Sequence, residues 1–289
     1  MTKTFLTLLF CTIGVTTSAQ TIEGKLQFRQ GQTLVIQIEL KNTVTQQAMN
    51  KAIDFSAEGS ASHRYNVSTI TNNNTTLNHE IENMRFAFDG MGQKSAYNSA
   101  NPADTGSQFN DYVKQLVGKK YQLVIDTNGN TLQAKPEKIE AVKADEKMAL
   151  VSGMIKDLTA IAYPSRKGEA SFFKILPDRE ISPGDTWTDS IRTEACSSKT
   201  IYKLAEITDS TIIVEFSGSG ISTSKTMMMG REAVTTMNNT ETGKIILDRT
   251  TGIIKEKTIT TESNGTMEAM GGIMPVTSRS TIIIHVKSE

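Results

Sequence analysis

Leu34, Ile36, Ile38 and Leu40 alternate with Val35, Gln37 and Glu39, the period of two that marks a half-buried strand. Tyr65, Val67, Thr69 and Ile70 continue in the same style and run into the turn-forming Asn72-Asn73-Asn74. Leu77 to Phe88 predicts a further strand pair ending at Asp89-Gly90, and the polar stretch from Tyr97 to Gln108 predicts a loop. Phe109, Tyr112, Val113 and Leu116 then fall at the spacing of a short amphipathic helix. Tyr121 to Ile125 and Thr131 to Ala134 flank Asp126-Thr127-Asn128-Gly129-Asn130, a hairpin signal, because glycine reaches positive φ without steric cost.

The period changes after Pro136. Val151, Met154, Ile155, Leu158 and Ile161 recur at helical spacing, so one face is apolar and the other solvated, until Pro164 ends the run. Strand patterns return from Thr186 onward, most clearly at Ile212, Val214 and Phe216, at Ile245 and Leu247, and at Ile282, Ile284 and Val286. Strands, helices, then strands predict an α+β fold of mainly antiparallel sheets with a central helical segment. The expected division is a leader at 1–19, a β-rich half at 20–135, a helical segment at 136–165 and a second β-rich half at 166–289. Two separate β domains joined by a helical linker are the alternative.

The two β-rich halves share landmarks in the same order. Gly31-Gln32-Thr33 resembles Gly184-Asp185-Thr186, and Tyr65 to Asn72 resembles Tyr202 to Asp209. Gly118-Lys119 before Asp126 and Gly129 resembles Gly243-Lys244 before Asp248 and Gly252. A duplicated half-barrel explains this, as does the reuse of common turn residues by unrelated strands.

Lys3, followed by the apolar stretch Phe5 to Val15 and the small residues Thr17 and Ala19, has the form of a secretory signal peptide cleaved after Ala19. The stretch is too short to span a bilayer comfortably, and no later segment is apolar enough to cross one as a helix. Phe10 is too bulky for a lipidation motif at Cys11, so the expectation is an exported periplasmic or extracellular protein that is neither a lipoprotein nor an integral membrane protein. The leader takes Cys11 with it and leaves Cys196 alone, so no internal disulfide is expected.

Charge narrows the partners. The chain has 31 basic and 31 acidic residues, which gives no broad positive field for nucleic acid. The search for chemistry is equally bare. His79-Glu80 begins like a zinc-protease helix but Asn83 stands where the second ligand belongs, and His63 and His285 are remote in sequence. Asp126, Asn128, Asn130 and Glu137 fit a calcium-loop template except that Thr131 replaces its glycine, so the hairpin reading wins. Cys196 has no neighbouring histidine, and Ser217-Gly218-Ser219-Gly220 lacks the spacing of a nucleophile elbow. No catalytic residue, metal site or cofactor is assigned.

Gly118-Lys119-Lys120-Tyr121 leading to Asp126-Thr127-Asn128-Gly129, with Leu176-Pro177 and Ser182-Pro183-Gly184-Asp185-Thr186-Trp187, resembles a family of exported Bacteroidota proteins catalogued as a domain of unknown function. The resemblance spans the chain from about Gly24 and implies a β-rich exported protein; it carries over no site residues. The order of elements also looks like the half-open barrels of periplasmic lipoprotein and lipid carriers, as an analogy of architecture.

Methionine is the one unusual component, gathered at Met227, Met228, Met229, Met267, Met270 and Met274. Unbranched thioethers suit adaptable apolar surfaces, so these six are the candidate ligand-binding residues. The leading expectation is a non-enzymatic envelope binding module for an apolar small molecule or lipid. An envelope assembly protein that binds another protein through sheet edges is the alternative, and a hydrolase whose site forms only on folding is a third.

Overall fold

A computed structural model describes residues 20–48, 51–90, 92–101, 116–136, 153, 158, 164–228, 231–269 and 271–289. They form twelve strands: β1 (Thr33–Ala48), β2 (Lys51–Thr71), β3 (Asn74–Gly90), β4 (Gln93–Asn98), β5 (Lys120–Ile125), β6 (Thr131–Pro136), β7 (Thr186–Arg192), β8 (Cys196–Ile207), β9 (Thr211–Met228), β10 (Arg231–Asp248), β11 (Ile254–Ala269) and β12 (Gly272–Ser288). All pair antiparallel in one sheet ordered β6-β5-β3-β2-β1-β12-β11-β10-β9-β8-β7, with β4 also on β3. The pairing of β1 with β12, from Leu34 and Ser288 to Gln46 and Val276, makes both halves one sheet.

The expected α+β class is therefore corrected. The described core is built by strands and two irregular straps, and the class is antiparallel β. The alternation that predicted strands runs much further than expected, 21 residues in β2 and 18 in β9. The leader at 1–19, the helical spacing at 109–115 and most of the segment 136–165 lie outside the described residues. Leu158, an apolar position of that segment, is fully buried, and its side chain sits against Gly59 on β2.

The sheet is strongly coiled. In a flat sheet the β5–β6 and β10–β11 turns would stand six strand spacings apart, about 29 Å. Yet the adjacent amides of Leu26 and Gln27 donate to Thr127 O at 2.6 Å and Thr251 O at 2.9 Å, one in each turn. Adjacent Cα atoms are only about 3.8 Å apart, so the strand ends must curl towards each other around the strap. Residues 20–28 and 165–185 fill this base, bridged at Ile22 and Ile181. Phe172 packs against both core clusters, one centred on β1–β5 and the other on β8–β11.

The duplication read from turn residues recurs as hydrogen bonds. Gly31 N donates to Val67 O and Val67 N to Gln32 O; Gly184 N donates to Leu204 O and Leu204 N to Asp185 O. Gln32 Oε1 accepts from Arg29 N as Asp185 Oδ2 accepts from Ser182 N, each three residues back. β2 has a register shift after Val67 and β8 one after Leu204; β5 has one after Val124 and β10 one after Ile246. In the turns that follow, Asp126 accepts from the amides of Asn128 and Asn130, and Asp248 from those of Thr250 and Thr251. Gly129 and Gly252 close these turns at φ 82° and 69°, a region that costs a residue with a Cβ. Thus β1-β2-β3-β5-β6 and β7-β8-β9-β10-β11 are one unit used twice.

Candidate functional site

Side chains alternate across each strand, so register decides which residues share the concave, core-bearing face. One inward row crosses the sheet as Trp187, Tyr202, Phe216, Gly243, Ile259, Ile282, Leu40, Gly59, Phe86 and Tyr97. Between this row and the base strap the face is packed core. The other direction, towards the hairpin ends, is where the two halves part.

On β7–β12 the next two inward rows are Asp189, Thr200, Gly218, Glu241, Thr261 and Ser280, then Ile191, Ser198, Gly220, Asn239, Ser263 and Ser278. Apart from Ile191 this is a wall of small polar and acidic groups, and most of it is half-buried rather than sealed. On β1–β3 the matching rows carry Asn42, Ala57 and Phe88, then Val44, Phe55 and Gly90, with Ala57, Phe55 and Phe88 buried and Val44 packed against them. Past the polar wall, apolar residues return as Met237 and Val276, then Met267 opposite Met274. Gln46 Nε2 points at both facing sulfurs, 3.6 Å from Met267 Sδ and 3.3 Å from Met274 Sδ.

The six candidate methionines thus separate. Met267 and Met274 come together, half-buried, on the concave face. Met227 lies on the opposite face and is 56% exposed. Met228 ends β9, and Met229 and Met270 lie outside the described residues.

A charged group the sequence reading passed over stands at the border of the wall. Counting back by twos from Ile259 puts Lys257 on the apolar face, between Ile245 and Ile284. Its stem runs along the core and its Nζ lies 5.6 Å from the centre of the Phe216 ring. A Cβ on Gly243 would sit 2.3 Å from Phe216 Cζ, so only a bare backbone lets that ring lie across β10 beside the lysine. Burial lowers the Lys257 pKa and Glu241 opposes the shift. Trp187 stacks on Tyr202 at 5.5 Å and 10°, and Tyr202 meets Phe216 at 5.6 Å. Burial pushes the Tyr202 phenol up to about 12, and the charges of Asp189 and Glu241 add to the shift.

In the first unit the equivalent place is closed by a polar cluster, also missed because its members are far apart in sequence. His63 Nε2 lies 3.1 Å from the Leu158 carbonyl, which can only accept, so that nitrogen carries the proton. In the neutral ring Nδ1 then accepts from His79 Nε2–H at 2.9 Å. This leaves His79 Nδ1 bare, buried and without a partner among the described residues. Tyr121 stacks on His79 at 4.2 Å, and its hydroxyl meets that of Tyr65 at 2.6 Å. Burial holds both imidazoles neutral, lowering His63 to about 4 and, with the charge of His63 adding, His79 to about 3.

Other candidates resolve simply. The Asp126 carboxylate is occupied by its own turn, accepting from Asn128 N, Asn130 N and Asn130 Nδ2. His285 faces Glu256 at 3.8 Å, and Cys196 is a free, half-buried thiol at the start of β8. Among the described residues no three of His, Cys, Asp and Glu gather as metal ligands, and no helix is long and apolar enough to cross a membrane. A crevice of about 10 Å³ at the base, between Gly24, Phe173, Leu176 and Gly252, has room for one water.

Residues 166–254, from the second strap to the start of β11, match the model of a family of unknown function (DUF6263). No curated protein matches the chain. Among solved structures, a lipovitellin structure whose subject is lipid–protein interactions aligns with 90% of the chain at 11% identity and a TM-score of 0.45; the chain spans 26% of that protein. An outer membrane channel from Pseudomonas putida aligns with 91% of the chain and 98% of its own length, at 6% identity and a TM-score of 0.24. OmpF of Salmonella typhi, in complex with daunomycin, aligns with 91% of the chain and all of its own length, at 8% identity and a TM-score of 0.26.

Proposed function

We propose that the protein is an exported, non-enzymatic binding module of the cell envelope that holds an amphiphile, such as a lipid, along the concave face of β8–β12. One observation carries this reading: that face keeps a half-exposed polar wall next to a methionine patch, while the same rows of the first unit are, apart from Asn42, apolar and packed. Hydroxyls and amides at Thr200, Asn239, Thr261 and Ser263 offer partners to a polar group, and Met237, Met267, Met274 and Val276 offer an apolar surface to a chain. Each methylene buried there is worth about 0.8 kcal/mol, and flexible thioethers repack around an irregular chain. Binding through sheet edges has less support. The edge strands β6 and β7 have only six and seven residues, and β7 carries Asp189 and Arg192, features that discourage strand addition.

Titration with a fluorescent fatty-acid analogue tests the reading. Saturable binding is expected, weakened at least tenfold by Met267→Glu or Met274→Glu and less than twofold by Met227→Glu on the opposite face. Absence of saturable binding, or equal loss from all three changes, overturns it. The intact mass of the secreted protein checks the export step, with Gln20 as the expected first residue.

A further inference from the structure

The inward-facing charges of β7–β12 between the packed base and the hairpin ends are Asp189, Glu241 and Lys257. They are arranged by sign. The Lys257 stem starts one row on the base side of the aromatic row, and its ammonium comes to rest at the Phe216 ring within that row. Among the described residues no carboxylate forms an ion pair with it. Glu241 and Asp189 stand one row on the other side, about 7 Å further along the strands, and both act electrostatically on the Tyr202 ring between them. Tyr202 and Trp187, both half-buried, stack on each other beside these carboxylates. A single cation therefore adjoins a lobe of two carboxylates lined by aromatic rings. A purely anionic group suits the first and is repelled by the second; a purely cationic group meets the reverse.

Resting on the amphiphile reading above, we propose that this border is the site for a zwitterionic head group of the phosphoethanolamine kind. Its phosphate lies at Lys257 Nζ, and its ammonium lies between Glu241, Asp189 and the Tyr202 ring. The acyl chain then runs over the polar wall to the methionine patch. Ammonium-bearing heads are selected by the acidic, aromatic lobe, and Lys257 contributes to any head that carries a phosphate.

The test compares lysophosphatidylethanolamine with lysophosphatidylglycerol of the same acyl chain, each titrated below its micelle concentration. The first is expected to bind about tenfold more tightly. Glu241→Gln should erase that preference, Lys257→Met should weaken both lipids about tenfold, and Lys257→Arg should restore binding. Melting curves establish that each variant is folded, and should Lys257→Met unfold, the Glu241→Gln comparison decides alone. Equal binding of the two lipids to the wild-type protein, or a preference that survives Glu241→Gln, overturns the head-group assignment and leaves the amphiphile reading standing. No saturable binding of either lipid overturns both. Free phosphoethanolamine is expected not to compete at the lipid's concentration; competition by it would mean that the site takes a small zwitterion, and would overturn the assignment to a lipid.

Discussion

Tyr65 and Tyr202 occupy the same position in two copies of one folding unit, yet the first is fully buried and the second half-exposed. The neighbours account for this. Across from Tyr65 stand His79 and then Tyr121; across from Tyr202 stand Phe216 and then Gly243. The first pair makes a hydrogen-bonded plug, and the second makes an aromatic shelf with a bare backbone behind it. Similar substitutions run along the rows: His63 matches Thr200, Ala61 matches Ser198, Ile36 matches Asp189 and Ala134 matches Lys257. The turns, caps and register shifts, by contrast, are retained in both. Backbone geometry tolerates little change because each turn depends on a few particular groups, whereas an inward face can be emptied wherever something else covers or fills it.

The largest test of this contrast is truncation of the two tyrosines. Tyr65→Ala should cost about 3–5 kcal/mol, since it opens a sealed core and deprives the Tyr121 hydroxyl of its partner, while Tyr202→Ala should cost about 1–2 kcal/mol. Urea unfolding of both variants measures the difference, and equal losses would show that the second face is as tightly packed as the first.

The histidine plug should make the first unit sensitive to acid. Both imidazoles have folded pKa values below the ordinary 6.5, so the unfolded chain binds more protons as the pH drops. The stability they contribute is present above pH 6.5 and is lost as the pH falls towards about 4 for His63 and about 3 for His79. His79→Phe, which copies Phe216 of the second unit, should flatten the fall in melting temperature between pH 6.5 and 4. An unchanged slope would assign the acid sensitivity elsewhere.

The smallest expected effect is the one shared by both copies. Asp126→Ala and Asp248→Ala each remove a carboxylate that caps turn amides and should each cost about 1 kcal/mol, agreeing to within about 0.5 kcal/mol. Denaturant midpoints check this, and a twofold disparity would mean that the turns are alike in shape but not in energy.

These turns were also what the sequence made legible. Gly31-Gln32-Thr33 and Gly184-Asp185-Thr186 are alike because the same two backbone hydrogen bonds follow each, and Asn-Gly marked the β5–β6 hairpin correctly. Alternation located the strands but not their length, because Ser, Thr, Gly and Asn in the open wall carry no apolar period to extend. The α+β expectation arose from helical spacing at 109–116 and at 151–161, set between stretches with the period of strands. The site was nearly invisible. Lys257 shows its place only when the phase of Ile259 is carried back two residues, and His63 and His79 meet only because β2 and β3 pair. The methionine signal named six residues as one set, and only the register separates Met267 and Met274 on the concave face from Met227 on the other.

The pairing of β1 with β12 fixes an order of events in folding. β1 meets β2 across a short hairpin, but its other edge waits for a strand that begins only at Gly272, and Leu34 finds its partner in Ser288. The second unit is built from consecutive hairpins and the first from hairpins and one return of β5 onto β3, whereas the seam between them closes across almost the whole chain, with the large loop entropy and slow rate that such a contact brings. Until the last strand arrives, β1 and β11 each present sixteen residues of unpaired backbone. A chain stopped short of β12 therefore has two folded halves and a sticky margin, and its fate is aggregation.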